Sequence, residues 1–195
     1  MLATTNPGKR RELRALLAKL PISLVMPQEL GITLQVEESG ANYSDNAKLK
    51  ARGYAMASGL WTLADDTGLE VDVLAGAPGL YSARAAGSDA DRRQQLLVRL
   101  AGHARPWSAC FRCVAALAGP SGTLDLAEGV CPGEILPEAR GHNGFGYDPI
   151  FLVAGTSQTM AELSMAHKNE LSHRARALAA LLPTLRLRLR LEAPA

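Results

Sequence analysis

The sequence predicts a mixed α/β fold, a central sheet flanked by helices, and three observations carry that prediction. Amphipathic segments with helical i, i+3, i+4, i+7 spacing alternate with short apolar runs along the chain. Two of those runs, Trp107–Ala118 and Thr123–Val130, are separated by Gly119-Pro120-Ser121-Gly122 and read as an antiparallel pair. A length of 195 residues, 47% hydrophobic and 21% charged, is enough to bury a substantial core in a single domain over 1–195 with no linker.

The elements follow in order. A short apolar run at the start breaks into Thr4-Thr5-Asn6-Pro7-Gly8-Lys9. Pro7 suits the first position of a helix, where its missing N–H costs nothing, and Leu13, Leu16, Leu17 and Leu20 mark that helix's buried face. Ile22–Met26 is a candidate strand. Asn42 reads as an N-cap with Asp45 three residues on, opening a helix through about Ala57. Leu60–Ala64 predicts a strand running into Asp65-Asp66-Thr67-Gly68, and Leu69, Val71 and Val73 alternating with Glu70 and Asp72 predict a second, half-buried one. Gly76–Gly87 is a Gly/Pro/Ser-punctuated loop, and Asp89 to Leu100 is a helix with Gly102 as a candidate C-cap. Gly141–Asp148 is a glycine-rich loop and Ile150–Val153 a short strand. A last helix begins near Ser172, with Leu178, Leu181, Leu182 and Leu185 on its core face. The tail Leu185–Leu191 alternates like a strand yet continues that helix, its arginines forming a solvated face.

Bulk properties narrow the function. A net charge of +2 gives no field for nucleic-acid binding, so no nucleic-acid partner is expected. No apolar run approaches the roughly 18–20 residues of a membrane span, and the N-terminus lacks a secretory leader. Cys110-Phe111-Arg112-Cys113 spells C-x-x-C, but positions i and i+3 of a strand face opposite sides and no second pair completes a zinc site. Cys110, Cys113 and Cys131 are read as buried thiols of a cytoplasmic protein.

Five segments carry chemistry. The N–H groups at the start of the first helix, with Thr4, Thr5, Asn6 and Lys9 around them, suit an oligophosphate, although an ordinary capped helix has the same look. The P-loop pattern is absent. Asp65 and Asp66 end a strand, and because successive side chains alternate, only one of them faces a given site, there to hold Mg²⁺ or deprotonate water. Glu37 and Glu38 pose the same question. Gly144-Phe145-Gly146-Tyr147-Asp148-Pro149 lets backbone approach a flat ligand while an aromatic ring stacks, or forms a tight turn on the core. Ser172 is a candidate N-cap from which His173 and Arg174 project toward a ligand, with Lys168 four residues earlier.

Taken in order along nearly the whole chain, these segments resemble the inosine triphosphate pyrophosphatase family. Ala3–Lys9, Glu37–Gly40, Asp45–Ala51, Ala64–Leu69, Gly76–Arg84, Gly144–Pro149 and Ser172–Arg174 carry the likeness, and seven motifs in the right order are specific. The resemblance implies an elongated two-lobed fold with a central nucleotide cleft, and usually a homodimer. It implies Mg²⁺-dependent hydrolysis of inosine, deoxyinosine or xanthosine triphosphate to the monophosphate and pyrophosphate. Carried over to this sequence, Thr4, Thr5, Asn6, Pro7, Gly8 and Lys9 bind the triphosphate, and Lys50 adds charge beside it. Asp66 is the general base and, with Glu38, a metal ligand, while Thr67 touches substrate. Phe145, Gly146, Tyr147, Asp148, Lys168, His173 and Arg174 surround the base, with Arg174 a donor to the purine 6-oxo group. Three departures stand out: a first strand shorter than usual, leaving open a start upstream of Met1, Asp45 in place of glutamate, and Asn143 where glycine is frequent. Two competing readings are a Maf-like pyrophosphatase acting on pyrimidine or modified nucleotides and a catalytically silent nucleotide-binding protein.

Overall fold

A computed structural model describes residues 1–83 and 87–191, so Arg84 of the Gly76–Arg84 motif lies outside the described residues. Among the described residues, five α-helices, α1 (Pro7–Leu17), α2 (Tyr43–Ser58), α3 (Asp89–Leu100), α4 (Met165–Leu171) and α5 (His173–Leu189), accompany five strands. The strands are β1 (Thr62–Val71), β2 (Pro78–Gly79), β3 (Trp107–Ala118), β4 (Leu124–Ile135) and β5 (Phe151–Val153). They form one sheet in the order β2-β1-β3-β4-β5, with β1–β2 and β4–β5 paired antiparallel. The mixed α/β class expected from the sequence is therefore the observed one. Among the described residues, no helix is long and apolar enough to cross a membrane.

Helix starts follow local side-chain chemistry. The carboxamide oxygens of Asn6 and Asn42 accept from the N–H groups of Lys9 and Asp45, and Ser88 caps α3 through Asp91. The strands differ from expectation in several places: β4 runs on to Ile135 beyond the expected Val130, and β2 lies in the segment read as a loop. The two strands read on either side of Asp65-Asp66-Thr67-Gly68 are one continuous β1, so this tetrapeptide is strand and not turn. The first apolar run contributes a parallel bridge, Leu2 to Leu63, and Ile22–Met26 forms no strand, although its Val25 carbonyl accepts the Leu2 N–H. An apolar run without a neighbour to complete its hydrogen-bond ladder does not become a strand. The helix α4 was not anticipated, and α3 closes at Ala101 in helical conformation instead of on Gly102.

The chain divides into two compact units. The first comprises Met1–Asp66, Cys113–Gly129 and Arg174–Ala195, and the second Thr67–Arg112 and Val130–His173. The core of the first packs Leu13 and Leu17 of α1 with Leu63, Cys113, Ala115 and Leu117 of the sheet and Leu178, Leu181 and Leu185 of α5. That of the second packs Leu96 and Leu100 of α3 with Leu69, Trp107, Phe111, Ile135 and Phe151. Cys113 and Cys131 are buried, but Cys110 is only half-buried. Burial and the nearby Glu70 push the Cys110 thiol up to about 11, which keeps it protonated and unreactive at neutral pH.

Candidate active site

In the first unit, strand alternation sends the two aspartates of β1 to different partners. Asp65 is 2% exposed and Asp66 7%. Asp65 meets α1 and α5: its Oδ2 lies 3.2 Å from Lys9 Nζ and accepts from Arg174 Nε and Nη2, both at 3.0 Å. The remaining Arg174 Nη1 donates to Glu12 of α1. Arg174 and Glu12 are almost fully buried, so this is an internal ion network. Burial alone would lower the Arg174 pKa, but Asp65 and Glu12 outweigh it and hold the guanidinium charged.

Asp66 meets α2. Its Oδ2 accepts from Asn46 Nδ2 at 3.0 Å, and its Oδ1 is 3.5 Å from Lys50 Nζ. Asn46 and Lys50 stand four residues apart, hence on one helix face. Lys50 Nζ also reaches Glu38 Oε1 at 2.8 Å, while Glu37 is exposed. The structure thus brings Glu38, and not Glu37, into the cluster. Burial would lower the Lys50 pKa, yet Asp66, Asp65 and Glu38 together leave it raised. A raised lysine pKa contributes stability that is complete below its unfolded value of about 10.4 and is lost as the pH rises through the folded value. The thermal-midpoint difference between parent and Lys50→Met is therefore expected to be flat from neutral pH to about 10 and to shrink only at more alkaline pH. A difference that collapses near neutrality would contradict this.

The phosphate-site residues surround the start of α1. Thr4 Oγ1 accepts from the Asn6 N–H at 3.2 Å, which shapes the approach to the helix. Thr5 and Pro7 are exposed, Gly8 is buried, and Lys9 leans on Asp65 with 15% of its side chain exposed. Thr67 follows Asp66 along β1 and is half-buried.

The second unit gathers the aromatic segment. Asp148 Oδ2 accepts from the Phe145 N–H at 2.9 Å and from Lys168 Nζ at 2.6 Å, a pair buried on both sides. Lys168 Nζ also lies 5.4 Å from the centre of the Phe145 ring, a cation–π contact. Gly144 allows this closeness: its φ is +79°, and a Cβ there would fall 2.0 Å from Asp148 Oδ2. The N–H of Gly146 donates to Asp89 at 2.6 Å and its carbonyl accepts from Arg93 at 2.7 Å, so α3 fixes this loop. Tyr147 is buried, and His173 stacks on Phe111 with ring centres 4.7 Å apart.

Arg174, expected to project from the start of α5 toward a ligand, directs its three guanidinium nitrogens to Asp65 and Glu12. Two buried carboxylates hold it more strongly than an exposed helix start would. Ser172, in extended conformation, is the C-cap residue of α4 and directly precedes α5. Sequence reasoning missed Glu12 and gave Asp65 no partner. An acidic residue at Glu12, just before the buried-face Leu13, was the available signal.

Among the described residues, no group of three or more His, Cys, Asp or Glu side chains could hold a metal. Glu38 and Asp66 nevertheless converge on one ammonium, Lys50 Nζ. Two carboxylates aimed at a common point fit Mg²⁺, which takes one or two of them together with water and phosphate oxygens.

The sequence model of the Ham1 family matches residues 1–184. A dITP/XTP pyrophosphatase of Synechococcus sp. (strain CC9311) is 49% identical over 186 residues, covering 95% of this chain and 88% of that protein. Another from Nostoc sp. (strain PCC 7120 / SAG 25.82 / UTEX 2576) is 47% identical, covering 94% and 92%. Among solved structures, a HAM1 protein from Coxiella burnetii superposes with a TM-score of 0.85 at 41% identity, covering 95% of this chain and 97% of that one.

Proposed function

This chain belongs to the Ham1 family, and on that premise we propose that it hydrolyses dITP, ITP and XTP to the monophosphate and pyrophosphate, with Asp66 as general base. The observation that carries the reading is the Asp66 environment, in which one carboxylate is oriented by Asn46, charge-paired with Lys50, and joined through that lysine to Glu38.

Hydrolysis adds a water oxygen to the α-phosphorus and breaks its bond to the oxygen bridging to the β-phosphorus, releasing pyrophosphate. Asp66 accepts the proton of the attacking water. Lys9, Lys50 and the N–H groups opening α1 bind the triphosphate and offset the charge that builds on the leaving group. Glu38 and Asp66 would hold Mg²⁺, which when bound supplies positive charge to the phosphates and makes water more acidic. Thr4, Thr5, Asn6, Pro7 and Gly8 complete the phosphate-binding segment and Thr67 adds a substrate contact.

Recognition of the base is assigned to Phe145, Gly146, Tyr147, Asp148, Lys168 and His173. A protein donor at the purine 6-position donates to the oxo group of hypoxanthine or xanthine and is left unpaired by adenine, a penalty of about 1–3 kcal/mol. For Arg174 the geometry supports an indirect role through Asp65 and not a direct contact with the base. We place the enzyme in the cytoplasm as a homodimer of a single domain. Pyrophosphate release is expected to be much faster from dITP than from dGTP and to require Mg²⁺. Equal rates on the two substrates would refute the specificity, and rates unchanged by removing Mg²⁺ would refute the metal assignment.

A further inference from the structure

We infer that Asn46 is a positioning residue that locks the general base and the Glu38-bearing turn to each other. Its side chain is fully buried and both ends are used. Nδ2 donates to Asp66 Oδ2 at 3.0 Å, and Oδ1 accepts from the Gly40 N–H at 2.8 Å. The partners fix the amide's orientation, because a backbone N–H only donates and an ionised carboxylate only accepts.

Two further features make this a built contact. A Cβ on Gly40 would lie 2.8 Å from Asn46 Oδ1, 2.6 Å from Asp45 Cβ and 2.9 Å from the Asn46 nitrogen, so glycine is what lets the turn close onto the start of α2. On the same helix face, Lys50 approaches the other oxygen of Asp66 and binds Glu38, two residues before Gly40. The helix therefore holds the two carboxylates in register by two routes, an amide and an ammonium. Lys50 faces the substrate phosphates as a charge, whereas Asn46 contributes only geometry.

The inference rests on Asp66 being the base, and the test separates the two. Asn46→Asp keeps an acceptor for the Gly40 N–H and loses the donor to Asp66, while Asn46→Ala loses both. Three measurements are made on each full-length variant: steady-state kinetics on dITP, hydrogen exchange at the Gly40 amide, and calorimetric titration of the substrate-free protein with Mg²⁺.

Both variants are expected to lose kcat on the order of 10²-fold with little change in KM, since a base displaced by a fraction of an ångström loses its alignment. Gly40 exchange should quicken and Mg²⁺ affinity fall in Asn46→Ala, and Gly40 should stay protected in Asn46→Asp. In an Asp66→Asn background, Asn46→Ala should change kcat by no more than about twofold, because its effect passes through the missing carboxylate. Should Asn46→Ala fail to fold, Asn46→Asp and its combination with Asp66→Asn carry the test. Parent-like kcat in Asn46→Asp, losses that multiply in the double variant, or unchanged Gly40 exchange in Asn46→Ala would each overturn the inference. Parent-like kcat in Asp66→Asn alone would instead overturn the assignment of the base.

Discussion

Asp66→Asn is expected to lower kcat for dITP by about 10²–10⁴-fold, the range that a positioned general base supplies, with a much smaller effect on KM. The amide matches the carboxylate in shape, and its oxygen can still take the Asn46 Nδ2–H bond, so the fold is retained. It cannot take a proton from water, and it brings no charge to Lys50 or to a metal. Because Asp66 is 7% exposed and set in β1, with α2 supplying its partners, bulk water is a poor substitute for it. Stopped-assay pyrophosphate release together with circular dichroism separates a chemical defect from a folding one. A folded Asp66→Asn protein with parent-like turnover would remove Asp66 from the chemistry.

The second large effect is on stability. Arg174→Met is expected to cost about 3–5 kcal/mol, because it takes the guanidinium away from two buried carboxylates, Asp65 and Glu12. For a chain of this size that corresponds to a fall in Tm of roughly 6–20 °C. Glu12→Gln leaves the guanidinium its two bonds to Asp65 and should cost less. The order of the two variants matters as much as the size, since an Arg174 acting only at the surface of a ligand site would give no loss of stability in either. Urea unfolding of both variants measures it. A change below about 1 kcal/mol in Arg174→Met, the scale of an exposed ion pair, would contradict the buried network.

Much of the fold was legible because its signals are local. The segments Asp89–Leu100 and Trp107–Ala118 occur with the boundaries read from the sequence, and Asn42 caps the helix it was expected to open. Periodicity and capping act within about one turn, so a linear reading captures them. The strand predicted over Ile22–Met26 failed for the opposite reason: its apolar character is local, but a ladder partner is not. The Asp65-Asp66-Thr67-Gly68 segment was read as the end of one strand before a second, since two aspartates and a glycine favour a break locally. Lys9, Asn46, Lys50 and Arg174 supply the charges and donors that let these aspartates stay in an extended, buried strand.

By itself, then, the sequence determined the α/β class, most helices and the long strands, and the order of motifs that places the chain in its family. Through the family resemblance it also named Asp66, Lys50 and Lys9 with Glu38 as a set, while the residues alone left Glu37 and Glu38 open. The tertiary structure alone decided how each acid is used: Asp65 inward to Lys9 and Arg174, Asp66 to Asn46 and Lys50, Glu38 in preference to Glu37. It also turned Arg174 from a ligand-facing donor into an internal one. The physical reason is range. Propensity and periodicity are set by neighbours in the chain, whereas the partner of a buried charge is set by which distant segment arrives with the opposite charge, as for Arg174 and Asp65, 109 residues apart.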